Sequence, residues 1–291
     1  AAEATVLKRR VNKMDFYFIP EMLNQYVTAV QEGRAVFSFT KEARGARDEA
    51  CFHCSDTLKD RRLRIFKRIG APREPMSVIS LRRFLLGDMV EAITREAVIW
   101  GLANMPDFKD WKATFQGHVE FPEWETRGSY DILLEGPPGS VIMDIKSCHS
   151  GKIDYIKRGE HDLGYLGQLT SYKMGLARQG KTISEGIVVY IDKDTMATHP
   201  DPLPRGFEDV VMSDYAALMD DWKRYKDTKV VPAEVPFRVA KRSGVVKAGQ
   251  EYPEWTCDPR YCEFWKNCPT VKAFWEAHSG RPTRKNKTRS K

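Results

Sequence analysis

The feature that most constrains the fold is a change of period between residues 77 and 148. Over residues 77–103, apolar side chains recur every three or four positions, the repeat of a helix with one buried face. HVEFPEW, GSYDILLE and SVIMDIKSC, between residues 118 and 148, are instead short β-branched or alternating runs parted by Gly and Pro. A period near 3.6 cannot settle as a strand, nor a period of 2 as a helix, so a long helix must feed a set of strands. GPPG at 136–139 predicts a tight connection between two antiparallel strands.

The pattern continues in the same alternating fashion. DLGYLGQLTSYKMGLARQG, from residue 162, predicts a second helix over the sheet, and GIVVYIDKDTM, from residue 186, is the continuous apolar run of a buried central strand. The order of helix, three strands, helix and strand makes an α/β core with a mixed sheet flanked by helices. Further helices are expected over residues 15–34, stopped by Gly33, over residues 56–70 with Asp56 near the N-cap, and around residues 210–226. Ser80 is the expected N-cap of the long helix. THPDPLPRGFED reads as a Pro-rich loop, and residues 229–256 give turns without a repeat.

Composition narrows the class. The chain is 42% hydrophobic and 11% aromatic, which can build a core and excludes a disordered protein. No run approaches the ~18 apolar residues that cross a bilayer, and AAEATVLKRR lacks the apolar stretch of a signal peptide, so a soluble, intracellular, cytoplasmic protein is expected. A formal charge of +7 and a pI near 9.0 favour a polyanionic partner. Residues 280–291, GRPTRKNKTRSK, read as a basic tail able to add non-specific phosphate affinity.

The chemistry gathers around VIMDIKSC. Period-2 alternation sends Asp144 and Lys146 to one face and Ile145 to the other, and the GPPG pairing brings Asp131 of GSYDILLE to the same end of the sheet. Two carboxylates held together either share a proton or bind an oxygen-loving cation such as Mg²⁺ or Mn²⁺, and an ammonium beside them can offset charge on a phosphoryl oxygen. Gln168 and Tyr172, four residues apart, share one face of the following helix. Taken singly, D-x-K is a surface ion pair more often than a catalytic motif.

In combination, G-x-x-D (Gly128 to Asp131), D-x-K (Asp144 to Lys146) and Q-x-x-x-Y (Gln168 to Tyr172) resemble the P-D-(D/E)-x-K nuclease superfamily, particularly its RecB-like branch, over residues ~50 to 270. The resemblance implies a restriction-endonuclease-like core. It implies that Glu91, Asp131, Asp144 and the Ile145 carbonyl hold Mg²⁺ or Mn²⁺, that Lys146 orients the attacking water, and that Gln168 and Tyr172 contact the substrate backbone. Glu96 competes with Glu91, although helical spacing puts it on another face. Lys152, Lys157 and Arg158 are candidate phosphate contacts. His118, His149 and His161 read as surface or packing residues, with His149 the nearest to the motif strand.

Six cysteines in an intracellular chain point to metal more than to disulfides. Cys257, Cys262 and Cys268 lie together near the C-terminus, Cys51 and Cys54 far upstream, and Cys148 beside the motif strand reads as a packing residue. Some RecB-like nucleases, including the AddB type and the CRISPR-adaptation nucleases, hold a 4Fe–4S cluster with one cysteine before the core and three after it. The resemblance therefore implies a cluster on Cys54, or Cys51, with Cys257, Cys262 and Cys268, joining the N- and C-terminal segments. The usual C-x2-C-x5-C tail appears here with four residues in its first gap, and Zn²⁺ is the alternative metal.

These readings imply an N-terminal helical segment over 1–50, a nuclease core over 51–228, a cysteine-rich segment over 229–279 and a basic tail over 280–291. The implied function is a metal-dependent DNA nuclease, an exonuclease of phage or CRISPR-associated type acting on single- or double-stranded DNA in processing, recombination or repair, alone, as a homo-oligomer or with a partner protein. A non-catalytic nucleic-acid-binding subunit that keeps the fold, and a hydrolase of another phosphate ester, are the alternatives.

Overall fold

The structure, a computed structural model, describes residues 18–37, 39, 50–137, 139–232, 237–239, 249–253, 257–259 and 262–278. In chain order the elements begin with α1 (Phe18–Gln31), β1 (Phe52–His53), α2 (Arg61–Arg68) and α3 (Val78–Asn104), followed by β2 (Lys112–Phe121), β3 (Thr126–Gly136) and β4 (Gly139–Cys148). Then come α4 (Ser150–Lys157), α5 (Leu163–Arg178), β5 (Glu185–Asp192), β6 (Thr198–Pro202), α6 (Phe207–Thr228), β7 (Phe237–Val239), β8 (Glu251–Pro253) and α7 (Pro269–His278). Two compact units divide the chain, one of residues 1–59 and 78–220, the other of residues 60–77 and 221–291.

The first unit holds a six-stranded mixed sheet in the order β1-β3-β4-β5-β6, with β2 paired to β3. β3 and β4 are antiparallel from Gly136↔Gly139 to Ile132↔Met143, as the GPPG spacing predicts, and β4 and β5 are parallel. Alternation gives each face its own core. Val141, Met143, Ile145, Ile187 and Val189 point toward α1 and α3. Ile142, Leu133, Val188 and Tyr190 point toward α4 and α5. Both faces are covered, which is why β5 reads as an unbroken apolar run.

The β2–β3 hairpin departs from simple alternation. Ala113 and Phe115 pack on the α3 side, whereas Val119 and Phe121, which strict period 2 would send the same way, pack on the α5 side. Across the pair, Ile132 and Leu134 serve the first core and Tyr130 the second. The change of face falls between these sets, at Gln116, whose φ of +52° is the left-handed conformation that non-glycine residues seldom adopt.

Several local expectations are corrected. α2 is capped by Asp60, whose carboxylate accepts from the Arg62 N–H at 2.9 Å, while Asp56 lies in a short 3₁₀ turn before it. α3 begins at Val78, so Ser80 is inside it. Residues 198–202 form β6, an antiparallel edge strand; Pro200 and Pro202 lack the N–H that an interior strand would need, which suits the edge and disguised the strand as a loop.

In the second unit, Phe66, Cys257, Phe264, Cys268 and Val271 form a small apolar core, with Cys262, Leu63 and Trp275 packed on it. Arg61 of α2 pairs with Asp221 at 2.6 Å. β7 and β8 form a short antiparallel pair within the stretch whose sequence shows no repeat. Residues 15–17, the start of the first expected helix, and the basic tail lie outside the described residues. Among the described residues no helix is long and apolar enough to cross a membrane.

Candidate functional site

The site forms where β3 parts from β4. On the β4 side, β3 pairs with β4 up to Ile132 and then with β1 at Thr126 and Arg127, leaving Gly128–Asp131 between the two partners. Asp131 sits at the parting. Its Oδ2 accepts the Ile145 N–H at 2.7 Å, so a side chain takes over where the ladder stops. Asp144, beside it on β4, is fully buried.

Three groups surround the Asp144 carboxylate. Lys146 Nζ lies 2.7 Å from Oδ2, and Gln168 Nε2 donates to Oδ1 at 3.2 Å and to the Tyr172 hydroxyl at 2.7 Å. The ammonium also lies over the Tyr165 ring, 4.9 Å from its centre. Burial pushes the Asp144 carboxyl up, to about 7, against the pull of Lys146, and the charges of Asp131 and Glu91 add to the rise. Burial opposes the Lys146 charge, but Asp144 and Asp131 outweigh it and hold the lysine protonated. Burial likewise keeps Tyr172 a neutral phenol, with Asp144 and Cys54 reinforcing it.

The helices are shaped to reach this point. Gly87 brings α3 close to β4: a Cβ there would stand 3.3 Å from Ser147 Oγ. One turn on, Glu91 projects from the same face of α3. Its Oε1 accepts from Gln116 Nε2 at 2.6 Å. Gly128 lets Tyr172 and Cys54 press against β3, since a Cβ there would meet Tyr172 Cε1 and Cys54 Cβ at 2.7 Å. Asp162 caps α5 by accepting the Tyr165 N–H and holds Lys152 Nζ at 2.9 Å.

The structure thus brings Asp131, Asp144, Lys146, Gln168 and Tyr172 together, with Glu91 close enough for its charge to reach Asp144. Ile145 lends its N–H to Asp131 while its side chain packs in the opposite core. Lys157 and Arg158 are exposed at the end of α4, a short helix whose sequence gives it no clear signal, and Arg158 covers the Tyr155 ring at 4.6 Å. Glu96 stands near Tyr26 on α1, where its charge, after burial, helps raise that phenol.

The histidines lie elsewhere. His149 is exposed at the start of α4, and His118 meets the Ser129 hydroxyl at 2.7 Å. His161 Nδ1 lies 2.8 Å from the buried Asp201. Gln116 and Tyr165 carry no motif; only the bend of β2 and the packing of α5 reveal them.

Among the described residues no three His, Cys, Asp or Glu side chains already stand as a cation-binding group. The adjoining carboxylates of Asp131 and Asp144 nevertheless fit Mg²⁺ or Mn²⁺, because Mg²⁺ takes one or two carboxylates and keeps several waters, and the charges that raise Asp144 are those a cation would relieve.

The cysteines divide between the two units. Cys54 is fully buried in the α5-side core of the first, with Cys51 half-buried nearby in sequence. Cys257, Cys262 and Cys268 share the core of the second, where the Arg62 guanidinium donates to Cys257 Sγ at 3.7 Å. Burial pushes the Cys262 thiol up to about 11 and raises Cys268, with the neighbouring cysteines adding to both. Cys257 and Cys268 are buried and Cys262 is half-buried in the same small core, the residue type that ligates zinc or an iron–sulfur cluster once deprotonated.

No family model and no curated protein matches this sequence. Solved structures show partial likeness. SSO0001 is 16% identical over 88% of this chain and 96% of its own, with a TM-score of 0.40. The alkaline exonuclease LHK-Exo from Laribacter hongkongensis is 14% identical over 62% of this chain and 93% of its own, with a TM-score of 0.43. The structure of LHK-Exo in complex with dAMP gives 16%, 61%, 90% and 0.42 in the same order. All three TM-scores lie below 0.5. The chain itself is a mixed α/β protein with an acid–acid–lysine group where two strands of its central sheet part.

Proposed function

We propose that this chain is a divalent-metal-dependent DNA nuclease, an exonuclease of the phage or CRISPR-associated type that hydrolyses phosphodiester bonds in DNA processing, recombination or repair. The observation that carries this reading is the meeting of Asp131, Asp144 and Lys146 at the parting of β3 and β4, under Gln168 and Tyr172.

In this reading Asp131 and Asp144 hold Mg²⁺ or Mn²⁺, with Glu91 and the Ile145 carbonyl completing the protein ligands. When bound, the ion supplies Lewis acidity, polarising a phosphoryl oxygen and making water a stronger nucleophile at neutral pH. Lys146, held by Asp144 and backed by Tyr165, keeps its proton and presents a positive charge to the oxygen on which charge develops. Gln168 fixes the Asp144 carboxylate and the Tyr172 hydroxyl together, so the acid cannot swing away from the substrate. Lys152, Lys157 and Arg158 contact phosphates and set the register of the strand without reading its sequence.

Cys257, Cys262 and Cys268, with Cys54 or Cys51 as the fourth ligand, hold a structural 4Fe–4S cluster, with Zn²⁺ the competing metal. Ligation across so long a stretch of chain would stabilise the fold by restricting the unfolded state. The test of the function is incubation with end-labelled single- and double-stranded linear DNA and with a closed circle, in Mg²⁺, Mn²⁺ or EDTA. Metal-dependent loss of linear DNA and survival of the circle is expected; cleavage of the circle would make the protein an endonuclease, and no cleavage of any substrate would remove the enzymatic reading.

A further inference from the structure

Gln116 holds a position that its residue type does not explain. The β2–β3 ladder pairs Phe115 with Ile132 and Gly117 with Tyr130, so Gln116 and Asp131 face each other at the break between them. There the backbone of Gln116 is left-handed, with φ of +52° inside a strand, and on either side of it the hairpin serves different cores. Glycine would adopt this conformation without strain, as its neighbour Gly117 could, yet the chain keeps a long amide side chain there. That side chain donates to Glu91 Oε1 at 2.6 Å. Non-glycine residues held in this region cluster at sites where the conformation serves a function.

We infer that Gln116 is a positioning residue for the metal site, which ties the bend that places Asp131 to the carboxylate of Glu91. The assignment rests on the nuclease reading above. One strained residue sets two acids at once: its backbone turns β2 at the level of Asp131, and its amide orients Glu91 from the neighbouring helix. Partners that hold a ligating carboxylate in this way tune metal affinity, and their loss weakens it by about 10- to 100-fold. An amide suits the task because it donates to a carboxylate without adding charge, whereas a lysine would compete with the cation.

The test compares unaltered protein with Gln116→Gly and Gln116→Glu. Glycine keeps the bend and removes the amide, so Gln116→Gly is expected to melt no lower than the unaltered metal-free protein, yet to bind Mn²⁺ about tenfold more weakly by calorimetry. It should need about tenfold more Mg²⁺ for half-maximal cleavage, with the rate recovered at saturating metal. Gln116→Glu, which sets a second carboxylate against Glu91, should melt lower without metal and regain stability as Mn²⁺ is added. Unchanged Mn²⁺ affinity and Mg²⁺ response in Gln116→Gly would overturn this assignment while leaving the nuclease reading intact. Lower melting of Gln116→Gly with unaltered metal response would assign the residue to the fold alone. Failure of the unaltered protein to bind Mn²⁺ would overturn both readings.

Discussion

Asp131 reaches across the parting of β3 and β4 to accept the Ile145 N–H at 2.7 Å. The contact couples an acid of one strand to the backbone between Asp144 and Lys146 on the next. The two acids are thereby fixed relative to each other before any substrate arrives, and that preorganisation is what an electrostatic site requires.

Replacing the lysine separates chemistry from binding. Lys146→Ala is expected to lower DNA cleavage by at least about a hundredfold, because the charge aimed at the developing phosphoryl oxygen is lost. It also leaves the buried Asp144 without its cation, at a cost of about 3 kcal/mol to the metal-free protein. Affinity for DNA, set by basic residues elsewhere, should stay within a few-fold. Cleavage at the unaltered rate would dismiss Lys146 from the reaction.

Gln168 joins Asp144 to Tyr172 inside the protein, and its loss is felt in stability as well as rate. Gln168→Leu removes the donor to two buried acceptors and should lower stability by about 1–3 kcal/mol, read from the denaturant midpoint. A neutral effect would mean that water replaces the amide and that the contact does not hold Asp144 in place.

Much of this was legible in the sequence, and what was not has a physical cause. Alternation and GPPG reveal β3, β4 and their antiparallel pairing, because one side chain in two must enter each core. D-x-K spacing alone puts Asp144 and Lys146 on one face, and i, i+4 spacing puts Gln168 beside Tyr172. β6 was hidden by prolines that only an edge strand tolerates, and β1 by its shortness, since two residues paired in parallel leave no period to read. Gln116 was hidden most completely: nothing in the residue type signals a positive φ, and its partner Glu91 lies on a different element.

Gly128 offers a test of packing around the site. Its absent Cβ would stand 2.7 Å from Cys54 Cβ and from the Tyr172 ring, both fixed in a buried core, so neither can yield cheaply. Gly128→Ala should therefore cost about 1–3 kcal/mol and lower cleavage by displacing Tyr172. Wild-type stability would show that α5 can retreat from the sheet.

The cysteines predict a colour. Protein purified without oxygen should be brown and contain about four iron atoms per chain, as a single 4Fe–4S centre requires, and Cys268→Ser should lose iron and melt at lower temperature. A colourless preparation with one zinc per chain would replace the cluster by Zn²⁺, and a metal-free, fully stable preparation would remove metal from this part of the fold.

The measurement that bears most directly on the account is the cleavage rate of end-labelled linear DNA in Mg²⁺ by unaltered protein and by Asp144→Ala, with DNA affinity measured on the same samples. The account predicts cleavage that EDTA abolishes in the unaltered protein, and no cleavage with affinity retained in the variant. Equal cleavage by both proteins would contradict it, because Asp144 is the buried acid on which Lys146, Gln168 and the proposed metal site all converge.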